Sequence, residues 1–213
     1  LSPQDEIAAS CQQLGLVPTA AQLTALSDFL ALLQHWNATY NLTAVRAPRA
    51  MVTQHLADCL AVLPALQARC PQGRVLDVGS GGGLPGVVLA IMQPALAVTC
   101  VDAVGKKAAF IRQVAGQLQL PNLQAFHARV QDLKLPAFDL ITSRAFASLT
   151  DFTRWTAARL APGGLWMAMK GQSPQEEMAA LPPNIEVFHV EPLDVPGLDA
   201  ERCLVWMRRR DQS

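Results

Sequence analysis

The sequence predicts an α/β fold. An open, mostly parallel seven-stranded sheet is closed by a C-terminal antiparallel hairpin and preceded by N-terminal helices. Three observations carry this. From Arg74 onward, short apolar runs alternate with segments of helical period, the pattern of successive βα units. The first of those runs, Val75-Leu76-Asp77-Val78, breaks into Gly79-Ser80-Gly81-Gly82-Gly83-Leu84-Pro85-Gly86 before a second apolar run resumes at Val87. Finally, Ile185–Val190 and Cys203–Arg208 both read as strands. Only a Pro/Gly-containing loop separates them, too short for a crossover helix, so they should pair antiparallel.

Composition bounds the rest. The chain has 213 residues, 51% hydrophobic, enough for one globular domain with a sizeable core. Seventeen basic and seventeen acidic residues cancel, so the global electrostatic footprint of many nucleic-acid binders is absent. Five scattered cysteines without a CxxC pair read as free thiols in a reducing, cytoplasmic compartment. No apolar run reaches the roughly 18 residues of a membrane span. The N-terminus lacks the basic-then-apolar order of a signal peptide, and its missing initiator Met suggests a trimmed end.

Residues 1–70 are expected to form a helical segment packed on the core, and 71–213 the core itself. Thr19-Ala20-Ala21-Gln22 is a capping box, after which Leu23, Leu26, Phe29, Leu30, Leu33 and Trp36 form one apolar helical face. The segment from Trp36 to Arg46 is polar and aromatic. It reads as turns, or as a loop lining a substrate cleft. Met51–Leu66 is amphipathic, with His55 and Asp58 three apart on one face, a hydrogen-bonded pair too small for a metal site.

Strands are expected at Arg74–Val78, Ala97–Asp102, Gln124–Val130, Phe138–Ser143 and Leu165–Lys170, the last after a turn at Pro162-Gly163-Gly164. Helices are expected after the glycine turn, at Lys106–Leu118 and at Leu149–Leu160. Pro85 suits the first position of the helix after the glycines. The basic tail Arg208-Arg209-Arg210 reads as a solvated end.

Ligands of open parallel sheets bind beyond the carboxyl ends of the strands, where the notable residues gather. The glycine turn follows the first strand, with free amides facing a ligand. Asp102 ends the second strand, where a carboxylate either accepts from both ribose hydroxyls of an adenosine or caps the next helix. Val130, Gln131 and Asp132 end the third strand and could address an adenine. Ser143, Arg144, Ala145 and Phe146 end the fourth, nearest a second substrate. The cleft suits an adenosine-containing cofactor. Gly81, Gly83 and Gly86 also permit a dinucleotide motif, so an NAD-dependent oxidoreductase is an alternative. Asp77 before Gly79 and Gly81, in an Asp-x-Gly-x-Gly-x-Gly run, together with the terminal hairpin, favours S-adenosylmethionine and a Rossmann-like methyltransferase layout, with Asp77 and Gly81 as cofactor-binding candidates. A third reading is a non-catalytic RNA or ribosome assembly factor on a vestigial cofactor fold.

At this point the chain resembles the bacterial 16S rRNA guanine-N7 methyltransferases (the RsmG or GidB family). The similarity lies in Trp36-Asn37 to Asn41-Leu42-Thr43-Ala44-Val45-Arg46, His55-Leu56-Ala57-Asp58, Asp77–Gly86, Asp102-Ala103-Val104-Gly105-Lys106-Lys107 with Phe110, Ser143–Leu149, Lys170-Gly171 and Arg202–Val205.

The resemblance implies a class I S-adenosylmethionine-dependent enzyme with the cofactor on Gly79, Leu84, Val130, Gln131 and Arg144, and Asp102 at the ribose. It implies methyl transfer to N7 of a guanine in 16S rRNA (position 527, in the 530 loop), within a 30S particle. Arg144 is the candidate catalytic residue, spanning cofactor and guanine, with Asn41 and Thr43 closing the cleft. Arg46, His55, Lys106 and Lys170 are further substrate-binding candidates, or packing residues. No metal and no membrane is expected, and the protein is expected to act as a monomer. Gln131 stands where the family usually has an acid, and Lys107 where it commonly has Arg. Guanine N7 has a lone pair and no proton, so direct in-line displacement needs no general base. The sequence has no Asp/Asn-Pro-Pro-aromatic segment after the fourth strand and no Pro-Cys nucleophile there.

Overall fold

Seven strands run in the order β3-β2-β1-β4-β5-β7-β6. They are β1 (Gly73–Val78), β2 (Leu96–Asp102), β3 (Leu123–His127), β4 (Phe138–Arg144), β5 (Leu160–Lys170), β6 (Ile185–Leu193) and β7 (Arg202–Arg209). The first five are parallel, and β7 runs antiparallel to both β5 and β6. The computed structural model describes residues 1–144 and 146–210. Ala145, read above at the end of the fourth strand, lies outside the described residues.

The period-two alternation of the strands sorts their side chains into two cores. Val75, Leu140, Met167, Leu204 and Trp206 face one side, Leu76, Ile141, Trp166, Val205 and Met207 the other. On the first side the sheet shares a single core with the N-terminal helices and with α6 (Gly86–Met92) and α7 (Gly105–Gln117). On the second, α8 (Leu149–Thr156) buries Leu149 and Phe152. Helices thus cover both faces, as the βα alternation requires.

The N-terminal helices are α1 (Pro3–Gln13), α2 (Ala20–Tyr40), α3 (Pro48–Met51), a π-helical turn at Val52–Ala57, α4 (Asp58–Leu60) and α5 (Leu63–Arg69). The capping box at α2 is present. Thr19 Oγ1 accepts from the Gln22 N–H at 3.1 Å, and Gln22 Oε1 accepts from the Thr19 N–H at 2.9 Å. Leu26, Phe29, Leu30 and Leu33 are buried along its apolar face. The segment at 51–66 is several short pieces, because the π-helical turn interrupts its α-helical period. The polar segment from Trp36 divides: its first five residues finish α2, and Asn41 ends the helix in the left-handed region at φ 51°.

Two strands differ from the sequence reading. β3 stops at His127, and Val130–Asp132 form a separate 3₁₀ turn beyond it. β5 begins at Leu160 and carries Pro162-Gly163-Gly164 inside it. Its register against β4 steps from Phe138↔Leu160 to Leu140↔Leu165, absorbing the turn residues as a bulge. α8 accordingly ends at Thr156, short of Leu160. Pro85 precedes α6, which starts at Gly86; the Leu84–Pro85 peptide is cis. A short helix, α9 (Gln175–Ala179), lies between β5 and β6.

Candidate active site

The glycine turn after β1 is held from behind. Asp77 is fully buried, and its Oδ2 accepts from the Gly86 N–H at 2.8 Å. Burial pushes its carboxyl up to about 8. Its Oδ1 is buried without a partner among the described residues. At Gly86 an added Cβ would lie 2.4 Å from Cys100 Sγ and 2.8 Å from Asp77 Oδ2, so only glycine lets the turn sit this close to the sheet. The expected free amides are largely absent. The N–H groups of Gly79, Ser80, Gly81, Gly83, Leu84 and Gly86 all have protein acceptors; that of Gly82 has none among the described residues. The turn is preformed by its own bonds.

What it offers a ligand is proximity. Gly79 has φ +66°, and a Cβ there would lie 2.4 Å from the Phe146 ring. Gly79 lines a cavity of about 350 Å³ with Val78, Asp102, Val130, Gln131, Phe146 and Trp155. Asp102 Oδ2 accepts from the Gly81 N–H at 2.9 Å and Oδ1 from the Val104 N–H at 2.8 Å. Each oxygen keeps a lone pair for a further donor. The bond to Val104 closes the turn into α7, whose cap residue is Val104, so Asp102 is not its N-cap. An apolar slot with one carboxylate at its rim and a glycine at its floor fits an adenosine.

Of the expected cofactor residues, Gly79, Asp102, Val130 and Gln131 line this cavity. Asp77, Gly81 and Leu84 do not. Asp77 and Gly81 bind the turn to its supports, and Leu84 is buried in the core. Arg144 faces elsewhere.

Arg144 lines a second cavity, of about 370 Å³, with Gln54, His55, Asp58, Met169, Lys170, Gly171 and Arg202. Its Nη1 donates to the Gln54 carbonyl at 3.0 Å and to Asp58 Oδ2 at 3.1 Å. Its Nη2 lies 3.1 Å from His55 Nδ1. A guanidinium only donates, so toward Arg144 Nδ1 is the acceptor and the proton of His55 sits on Nε2, which leaves the 3.1 Å approach of Nδ1 to the Gln54 carbonyl without a hydrogen. Nε2 donates to Thr43 Oγ1 at 2.7 Å. Burial, with the Arg144 charge adding to it, lowers the His55 pKa to about 4, which keeps the ring neutral. Thr43 is fixed in turn by Asn37, whose Oδ1 accepts from the Thr43 N–H at 2.8 Å.

The structure therefore joins Thr43, His55 and Arg144 in one chain of hydrogen bonds. Four other candidates fall outside it. Asn41 and Arg46 pair with each other at 2.6 Å. Lys106 lies 5.2 Å over the Tyr40 ring. Lys170 lines the second cavity but spends its ammonium on the Ala147 carbonyl at 2.9 Å and on Glu177 Oε1 at 3.1 Å. Glu177 also accepts from the Leu149 N–H, so this pair fastens the start of α8.

Sequence reasoning did not place Asp58 and Arg202 in the site. Asp58 is 3% exposed and accepts from Arg144 on one oxygen and from Arg202 Nε on the other, at 3.2 Å. The signal for Asp58 was its i,i+3 spacing from His55. Arg202 was marked only as the first residue of a segment shared with the family; its place in the site follows from the reversed direction of β7, which brings it to the carboxyl edge of the sheet, where Cys203 pairs with Lys170. Among the described residues no cluster of three or more His, Cys, Asp or Glu side chains is placed to hold a metal.

Five parallel strands, a reversed seventh strand inserted beside the fifth, and an adenosine-sized slot past the first two strands define a Rossmann-like class I S-adenosylmethionine-dependent methyltransferase. Solved structures agree on the fold. TrmN from Thermus thermophilus superposes with a TM-score of 0.56 at 22% identity, over 71% of this chain and 49% of that one. Coclaurine N-methyltransferase, bound to N-methylheliamine and SAH, gives 0.55 at 13% identity, over 90% and 73%. A family model described as rRNA small subunit methyltransferase G (GidB) matches residues 22–205. Proteins named ribosomal RNA small subunit methyltransferase G are 61% identical in Methylibium petroleiphilum, over 93% of this chain and 91% of that one, and 58% identical in an Acidovorax strain, over 92% and 90%. The chain belongs to the rRNA small subunit methyltransferase G family, and its cofactor is S-adenosylmethionine. Neither the oxidoreductase nor the non-catalytic assembly factor finds support in these comparisons.

Proposed function

We propose that this enzyme methylates N7 of a guanine in a conserved loop of 16S rRNA, carried in a 30S particle, and that it works as a cytoplasmic monomer. The observation that carries the reading, beside family membership, is the end of β4. Phe146 lines the adenosine slot and Arg144, two residues before it, lines the polar cavity. Cofactor and target base would meet across that strand end. No helix in the described residues is long and apolar enough to cross a membrane.

Bound S-adenosylmethionine supplies an electrophilic sulfonium methyl. Gly79, Val130 and Gln131 would hold the adenine end and Asp102 the ribose hydroxyls. Asp77, Gly81 and Leu84 shape the turn beneath them. The guanine N7 lone pair needs no base to expose it, so the protein's work is orientation and exclusion of water. Arg144 keeps two N–H donors beyond those its protein partners use, and these serve the substrate. His55 and Thr43 fix its plane, and residues 1–70 act as the segment that carries them to the 71–213 core. Asn41, Arg46, Lys106 and Lys170 border the RNA path or brace it.

The test is transfer of a tritiated methyl group into 30S particles lacking the modification, followed by mapping of the labelled base. Label on guanine N7 in 16S rRNA is the expected result. Label on another base, or none with S-adenosylhomocysteine still bound, overturns the substrate assignment.

A further inference from the structure

The end of α2 carries an aromatic tier that the methyl-transfer site does not use. Tyr40 is its last residue and is 42% exposed. Its ring lies 5.2 Å from Trp36, and Trp36 lies 5.5 Å from the buried Phe110 of α7. The tier runs from surface to core, which holds the outer ring in place. Beside it, a groove of about 390 Å³ between α2 and α7 is lined by His35, Trp36, Thr39, Tyr40, Gln113 and Gln117, with Leu32 at its end. Among the described residues no carboxylate lines it. The side chains of His35, Thr39, Gln113 and Gln117 make no hydrogen bond within the described residues, so their donors and acceptors are available along both walls.

Charge and position say what fits. The Lys106 ammonium sits 5.2 Å over Tyr40, at the mouth of the groove. Lys106 follows Asp102 by four residues, so the groove mouth and the adenosine slot share the connection between β2 and α7. On the other side Tyr40 leads directly into Asn41 and its partner Arg46. An aromatic wall, unpaired amides and an adjoining cation, with no acid, is the arrangement that takes an unstacked base and its phosphate.

We infer that the groove between α2 and α7 is a nucleobase-binding site for single-stranded RNA, with Tyr40 and Trp36 as the stacking wall and Lys106 at the phosphate. The inference rests on RNA being the substrate, and extends the contact surface beyond the transfer site.

Tyr40 is the only tyrosine in the chain, so 3-fluorotyrosine labelling places a single fluorine probe in the groove. The labelled enzyme is titrated with a short unstructured RNA and, separately, with a duplex of equal length. Displacement of the resonance by the single strand well beyond that by the duplex is expected. Tyr40→Leu should weaken binding of the single strand about tenfold and Tyr40→Phe should preserve it. Both variants should bind S-adenosylhomocysteine as the parent does. An unmoved resonance at saturation, equal responses to both RNAs, or a response that appears only with ribosomal protein overturns the inference. Methyl transfer into 30S particles separates the two readings. Transfer with an unmoved resonance removes the groove and leaves the function. A base that stacks without transfer removes the function and leaves the groove.

Discussion

The guanidinium of Arg144 donates to the carboxylate of Asp58 at 3.1 Å, across 86 residues of sequence. The two come from opposite parts of the molecule, the end of β4 and the start of α4. Asp58 is nearly inaccessible, while the Arg144 side chain is 23% exposed. The carboxylate is thus the fixed element and the arginine the one that faces the cavity.

Removing that fixed element should cost more than removing the arginine. Asp58→Ala leaves Arg144 and Arg202 without their shared anion. Loss of one partner of a buried pair costs about 3–5 kcal/mol, and the partial exposure of both arginines reduces this to roughly 2–3. Urea denaturation reads it directly. A change below about 0.5 kcal/mol would show that the pair carries no stability.

Arg144→Ala should separate chemistry from folding. Asp58 keeps Arg202, so the variant should unfold within about 1–2 kcal/mol of the parent. Single-turnover methylation should fall well over tenfold. An unchanged rate would remove Arg144 from the reaction.

Two buried groups give the stability curve opposite slopes. His55 titrates at 6.5 when exposed and about 4 when folded. The folded state then holds fewer protons across that window, so this contribution is present above pH 6.5 and lost on acidification toward 4. Asp77 moves from 3.8 to about 8. The folded state holds more protons there, and its contribution is lost as pH rises through 8. The two oppose each other between about 4 and 6.5, and Asp77 acts alone from 6.5 to 8. Denaturation of the parent across pH should show a weak dependence followed by a fall. His55→Gln should fall throughout, and Asp77→Asn should rise to about 6.5 and then level. Parallel curves for all three proteins would contradict the assignment.

Gly79→Ala should disable the cofactor slot at modest cost to the fold. The new methyl enters a φ of +66° and meets the Phe146 ring, together about 1–3 kcal/mol. S-adenosylhomocysteine affinity, by calorimetry, should fall at least tenfold. Retained affinity would mean that the ligand lies elsewhere.

The sheet was legible because its strands are short apolar runs with β-branched residues, bounded by turns, and because period two sorts Val75 from Leu76 without further information. The Asp77–Gly86 turn was legible too, although Asp77 was read as a cofactor contact and stands beneath the turn as its support. Its satisfied amides were not, since Gly81 bonds to Asp102 across 21 residues. Pro162-Gly163-Gly164 misled because a bulge and a turn use the same residues. Val130 was assigned to a strand because its side chain is apolar and buried, which a 3₁₀ turn over the core also requires. The Asp58–Arg202 bond lay beyond any local pattern: the direction of β7 decides it.

That direction has a consequence for how the enzyme is made. The polar cavity draws Asp58 from the first third of the chain, Arg144 from the end of β4 and Arg202 from the last strand to be synthesised, 144 residues after its partner. Until β7 leaves the ribosome and inserts between β5 and β6, Asp58 has one cation where the finished enzyme has two. The residues of the glycine turn and of its adenosine slot all precede residue 156, so a chain that has not yet added β7 holds them and still lacks a finished substrate cavity. Cofactor capture can precede competence, and the final strand closes the site.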